Sequence, residues 1–267
     1  FYEIARRLGV DRLSVTAKKF GLGTKTLDGL KEERSGVVPN TKWKKKYIGK
    51  NWYLGETLHS GIGQGYFLSS PMQLCLMTAQ IANGGFKIKP HILYDKSINF
   101  ENAKLKISKQ FTSDNFENNP INKNNYLKSK EYQIYERLYK SPQNINFVKD
   151  AMFGSTNEQY GTSYKSRYEN LKYQFAGKTG TSQVRRITDA ERKLDLKQSQ
   201  IEYENRDHAL YIAFAPYKEP RYSISVLIEH GGSGSKAAAP LASKLIKKII
   251  DRHVLREQMI KNNLNLA

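Results

Sequence analysis

The chain has 267 residues, is 39% apolar, and carries a formal charge of +19 from 44 Lys and Arg against 25 Asp and Glu. That apolar share can fill the core of one large domain or two small ones. No apolar run reaches the roughly 18 residues of a membrane span, the single Cys75 excludes an intrachain disulfide, and the five His, at 59, 91, 208, 230 and 253, form no cluster with zinc-ligand spacing.

In chain order, residues 1–22 read as two helices, the second capped by Asp11, with Leu13, Ala17 and Phe20 on one face and a stop at Gly21-Leu22-Gly23. Residues 24–68 read as an irregular connection held by aromatic anchors. Within it Lys42, Lys44, Lys45, Lys46 and Lys50 alternate with Trp43, Tyr47 and Trp52, the mixture of cations and stacking surfaces that a single-strand nucleic-acid binder uses. The remaining charge is spread along the whole chain, which favours solvated Lys over a nucleic-acid footprint.

Gly61-Ile62-Gly63-Gln64-Gly65-Tyr66 lacks the spacing and the trailing Lys-Ser/Thr of a phosphate loop. Ser70-Pro71 then starts a helix that Asn83-Gly84-Gly85 ends, and Met72, Leu74, Leu76, Met77, Ala79, Ile81 and Ala82 predict burial on most sides, with Cys75 as a small core residue. Residues 95–146 form a polar insert, low in complexity, with a short helix expected near Glu131 to Lys140. Gly161-Thr162-Ser163-Tyr164 is a turn toward the next strand.

That strand holds the most informative run, Ala176-Gly177-Lys178-Thr179-Gly180-Thr181-Ser182, followed by Gln183. On an edge strand, its cation and hydroxyls can meet the terminal carboxylate of an extended peptide while the backbone pairs with that peptide. A Lys-Thr-Gly triplet alone is a weak signal, since a strand with a glycine bulge also explains it. The triplet belongs with Ser-x-x-Lys and Ser-x-Asn in penicillin-binding proteins and serine β-lactamases. After a charged connection at 185–206, His208 to Phe214 and Tyr222 to Glu229 are β-rich runs around the turn Pro216 to Pro220. Past the glycine-rich His230 to Gly234, a helix from Lys236 to Val254 is predicted to cover the sheet with Ala238, Leu241, Leu245, Ile249 and Leu255.

Two other short motifs compete for attention. Ser113-Asp114-Asn115 spells Ser-x-Asn inside an Asn- and Lys-rich stretch where composition generates it. Ser233-Gly234-Ser235-Lys236 spells Ser-x-x-Lys, but it follows Lys178 in the chain and reads as a loop capping the last helix.

Several blocks together carry a family resemblance: Glu33 to Pro39, Trp43, Trp52 to Thr57, Gly61 to Tyr66, Ser70 to Gln73, Ala176 to Gln183, Asp207-His208 and Ala213 to Tyr217. In this order they resemble the transpeptidase domain of class B penicillin-binding proteins of the penicillin-binding protein 2 type. The resemblance spans most of residues 1–254 and also places the helix from Phe147 to Asn157, with Val148, Met152 and Phe153 facing inward.

The resemblance implies an α/β domain of the α+β type, with a mainly antiparallel sheet flanked by helices. It implies a serine D,D-transpeptidase that crosslinks D-Ala-D-Ala stem peptides of peptidoglycan, is acylated by β-lactams and needs no cofactor or metal. Lys178, Thr179 and Gly180 take catalytic roles, and Thr181, Ser182 and Gln183 bind substrate. The family's Ser-x-Asp element is expected just before Phe1 and its Ser-x-x-Lys nucleophile further upstream. The isolated chain, soluble as given, is then the incomplete C-terminal part of the domain, residues 1–254, with a polar tail at 255–267. A membrane anchor outside the chain, a periplasmic catalytic domain in the inner membrane and other cell-wall elongation proteins as partners belong to the same expectation, with no nucleic acid. An inactive remnant or interaction fragment stays open as the alternative, and behind it a basic protein that binds nucleic acid or an anionic surface.

Overall fold

The computed structural model describes residues 1–27, 30–92, 136–184 and 200–264, with side chains up to 255. Ser113-Asp114-Asn115 and most of the polar insert and the charged connection fall outside these residues. Helices α1 (Tyr2–Leu8) and α2 (Val10–Lys19) meet at Gly9, whose φ of 77° lets the chain change direction between them. Asp11 lies inside the first turn of α2 and is not its cap. Its carboxylate instead accepts from the backbone N–H and hydroxyl of Thr41, at 3.0 Å each, and so fixes the start of α3.

The stretch expected to be irregular contains α3 (Thr41–Ile48) and α4 (Leu54–Ser60). The basic run of α3 hides its helical signal, although Asn40 caps it by accepting from the Trp43 N–H at 2.7 Å. Lys44 is only 2% exposed; it pairs with Glu56 of α4 at 2.5 Å and lies over the Tyr53 ring at 4.6 Å. Trp43 and Trp52 pack on Tyr66, and the Trp52 indole donates to Thr57 at 2.8 Å. The central residues of the proposed stacking surface are therefore spent on internal packing.

Helix α5 (Pro71–Ala82) has the predicted cap: the Ser70 hydroxyl accepts from the Gln73 N–H, and the Gln73 side chain accepts from the Ser70 N–H. Its most buried residues include polar ones. Gln73 donates to the carbonyls of Thr24 and Ser35, and Gln80 donates to that of Phe20 while accepting from the Ile88 N–H. These amides pin the loops before and after the helix, which explains their burial without cost.

Residues 136–140 are extended, with Arg137 bridging Phe86, so the helix expected near Glu131 to Lys140 is absent over its described part. Helix α6 (Pro142–Asn157) starts earlier than the sequence suggested. It buries Ile145 and Met152 and leaves Val148 exposed, against the predicted inward face.

Strands β1 (Ala176–Ser182), β2 (His208–Ala215) and β3 (Tyr222–Ile228) form one antiparallel sheet in the order β1-β2-β3. The register sets Lys178 opposite Ile212 and Ser182 opposite His208. One face packs Ala176 and Phe214 against Ala82 of α5 and Met152 of α6. The other packs Tyr211, Ala213 and Val226 against helix α7 (Ala239–Leu264), which follows a π turn at Gly234–Ala238.

The buried stripe of α7 is Ala239, Ala242, Ile246 and Ile250. Leu241, Leu245, Ile249 and Leu255, four of the five residues expected to face the sheet, are exposed. Small alanines let the helix axis sit close to the strands, and the bulkier stripe a quarter-turn away is left outside.

Candidate active site on the edge strand

Strand β1 runs from the core into solvent. Ala176 and Gly177 are buried, Thr179 and Gly180 half-buried, and Lys178, Thr181, Ser182 and Gln183 exposed; Gln183 lies just beyond the strand. The six predicted site residues thus lie consecutively along the outer end of β1 and just past it, at the edge of the sheet that the described residues form.

The direction of the strand's backbone groups follows from its first bonds. The Gln174 carbonyl accepts from the Tyr217 N–H on the β2 side, while the Phe175 carbonyl accepts from the Asn157 side chain of α6 at 2.8 Å on the other. Peptide groups alternate sides along a strand, so those of Gly177, Thr179 and Thr181 point away from β2. The Lys178 ammonium donates to the Thr179 carbonyl at 2.9 Å, in keeping with that orientation. Among the described residues nothing pairs with the Thr181 N–H.

Lys178 also lies 3.5 Å from the Thr179 hydroxyl, and no carboxylate among the described residues forms an ion pair with it. Desolvation depresses its pKa below the usual lysine value. With three donors on the ammonium, it has capacity for an incoming anion. A side chain at Gly180 would crowd Leu210, its Cβ lying 3.2 Å from that of Leu210, and Gly234 rests on the Gly180 backbone: a side chain at Gly234 would come within 2.5 Å of the Gly180 carbonyl.

Gly177 answers a packing demand. The Tyr211 hydroxyl passes beneath it, and an added Cβ would sit 2.3 Å from that oxygen. Tyr211 is fully buried and hydrogen-bonds Thr156 at 2.9 Å and Ser163 at 3.0 Å. Burial raises its pKa, and the two hydroxyl bonds offset part of that rise.

The structure adds residues the sequence reading did not single out. Thr162 places its hydroxyl 3.2 Å from that of Thr179. His208 and His230, far apart in sequence, stack edge to face at 4.8 Å beside the end of β1, and the His230 N–H donates to His208 Nδ1 at 3.0 Å. No metal-binding group of His, Cys, Asp or Glu is present among the described residues. The Ser233 hydroxyl bonds that of Ser235 at 3.1 Å, and Lys236 meets Ser233 through its backbone N–H, which donates to the Ser233 carbonyl at 3.2 Å; among the described residues the exposed Lys236 side chain makes no bond to the Ser233 hydroxyl, and the segment serves as the loop before α7.

Comparisons with known proteins agree on one family. The model of the penicillin binding protein transpeptidase domain matches residues 1–247. The peptidoglycan D,D-transpeptidase MrdA of Salmonella typhimurium is 34% identical over 94% of this chain, and that of Escherichia coli K12 is 32% identical over 100% of it. The chain spans 36% of the length of either relative. Among solved structures, Helicobacter pylori PBP2 in a complex with MreC superposes with a TM-score of 0.70 at 29% identity, covering 94% of this chain and 38% of that one. Pseudomonas aeruginosa PBP2 in complex with WCK 5153 gives 0.67 at 30% identity, covering 93% and 46%. The matched region contains the edge strand, helices α5 and α6 and the first part of α7, and this chain belongs to the penicillin binding protein transpeptidase domain family.

Proposed function

We propose that this chain is part of a peptidoglycan D,D-transpeptidase, and that the outer edge of β1 binds the D-Ala-D-Ala end of a stem peptide, or a β-lactam in its place. The observation that carries this reading is the edge from Lys178 to Ser182, which no other strand among the described residues pairs, with the peptide groups of Thr179 and Thr181 turned outward. The peptide adds a strand antiparallel to β1. Its terminal carboxylate meets the Lys178 charge and the hydroxyls of Thr179 and Thr181, while Ser182 and Gln183 line the continuation of the groove.

The scissile carbonyl is attacked by the serine of the Ser-x-x-Lys element expected upstream of Phe1. The Thr181 N–H then faces the oxyanion, and a donor in that place is worth about 3 kcal/mol of barrier. Gly180 keeps the surface low enough for the peptide backbone to approach. The proposal places the reaction in the periplasm, at the inner membrane; no helix among the described residues is long and apolar enough to cross a membrane. Other elongation proteins are proposed as partners, in keeping with the H. pylori relative that was solved with MreC.

The test is covalent labelling by a fluorescent penicillin. The full-length gene product that carries this sequence should label, Lys178→Ala should slow labelling at least about a hundredfold with an unchanged unfolding midpoint, and the isolated 267-residue chain should not label. Unchanged labelling of Lys178→Ala would remove Lys178 from the site. Labelling of the isolated chain, lost on Ser233→Ala, would move the nucleophile to the loop before α7.

A further inference from the structure

Between α6 and the strand, Gly161-Thr162-Ser163 is folded back on the last turn of the helix and held from both sides. Gly161 has no room for a side chain: an added Cβ would sit 2.4 Å from the Ser155 carbonyl oxygen and 2.5 Å from that of Gly154. The backbone N–H and hydroxyl of Ser163 both donate to the Ser155 carbonyl at 3.0 Å. Ser163 is 2% exposed and also reaches the buried hydroxyls of Tyr211 and Thr156. Two neighbours of Thr162 are thus fixed, and they fix the backbone from which its exposed side chain extends.

That hydroxyl lies 3.2 Å from Thr179 Oγ1 and 3.3 Å from Ser155 Oγ, so Ser155, Thr162 and Thr179 form a line of three hydroxyls ending beside the Lys178 ammonium. Each hydroxyl has one proton to give. If the line runs from Thr179 toward Ser155, the Thr179 proton is consumed inside the protein. If it runs from Ser155 toward Thr179, the Thr179 oxygen is satisfied as an acceptor and its proton is free for the open edge of β1. A carboxylate only accepts, so its arrival selects the second direction, and hydrogen bonds in series strengthen one another.

We propose that Thr162 is a positioning residue for substrate binding: its hydroxyl, clamped by Gly161 and Ser163, turns the Thr179 hydroxyl outward as a donor to the carboxylate of the bound peptide or β-lactam. This rests on the reading of β1 given above. Thr162 touches neither the substrate nor the reacting atoms; it acts through Thr179.

The test compares Thr162→Val, which keeps the β-branched shape and deletes the hydroxyl, with Thr162→Ser, which keeps the hydroxyl, in the full-length gene product. The rate of acylation is measured with a penicillin bearing its free carboxylate and with its methyl ester. Thr162→Val should lower the rate with the free acid about tenfold, the size of one lost hydrogen bond to a charged group. It should leave the slower rate with the ester unchanged, and Thr162→Ser should restore the free-acid rate. Equal rates for wild type and Thr162→Val, equal losses on acid and ester, or no rescue by Thr162→Ser would each overturn the inference while the transpeptidase reading stands. No acylation of the wild type by the free acid would overturn that reading and this inference with it.

Discussion

Glu33 shows how much of the family pattern is structural at the scale of a single residue. It is buried, and its carboxylate accepts from the backbone N–H of Thr26 at 2.8 Å and of Leu27 at 2.9 Å, and from the Thr26 hydroxyl. Burial pushes its pKa up, but the Thr26 hydroxyl and the two N–H groups, helped by Lys25, outweigh burial and hold it below the usual carboxylate value. A carboxylate whose pKa falls on folding adds stability that is complete above its unfolded pKa, about 4.3 for Glu, and is lost as pH drops through the lower folded value. Glu33→Gln should therefore lower stability at pH 7 by about 1–3 kcal/mol and flatten the loss of stability between about pH 5 and pH 3, read by urea unfolding at each pH. Identical acid limbs for the two proteins would contradict this account. Glu33, Gln73 and Glu56 all stand in the blocks that carry the resemblance, yet Glu33 and Gln73 spend their polar atoms on loop backbone, and Glu56 on the start of α4 and on Lys44.

At the scale of elements, legibility followed side-chain size and charge. The Ser70 cap and the β-rich runs of β2 and β3 were readable, and the alternation of β2 agrees with its burial. Helix α3 was hidden because five of its eight residues are Lys or Tyr, which read as a solvated segment, while its one buried lysine is stabilised by an anion from another helix. For α7, two apolar stripes run side by side, and the sequence offers no reason to prefer the alanines until the closeness of the sheet is known. Ile246 is 2% exposed and Leu245 37%. Ile246→Ala should cost about 3 kcal/mol and Leu245→Ala less than about 1 kcal/mol in denaturant unfolding of the 267-residue chain. The reverse order would return the predicted stripe to the core. Thr162 escaped for a different reason: a Gly-Thr-Ser turn has no periodicity, and only the meeting of two distant segments gives its hydroxyl a partner.

For the whole molecule, the formal charge of +19 offers a competing account as a nucleic-acid binder. The structure removes its centre, because Lys44 is buried against Glu56 and the two Trp side chains pack on Tyr66. Lys178, with no carboxylate partner among the described residues, stands on a sheet edge whose peptide groups alternate outward. The family match over residues 1–247 includes that edge. The most direct measurement is a crystal structure of the full-length gene product acylated by a β-lactam. The account predicts ligand density along the outer edge of β1, with the carbonyl oxygen on the Thr181 N–H and the carboxylate on the hydroxyls of Thr179 and Thr181. Ligand bound at a different surface, or lying against β1 with its carboxylate turned away from Lys178, would contradict it.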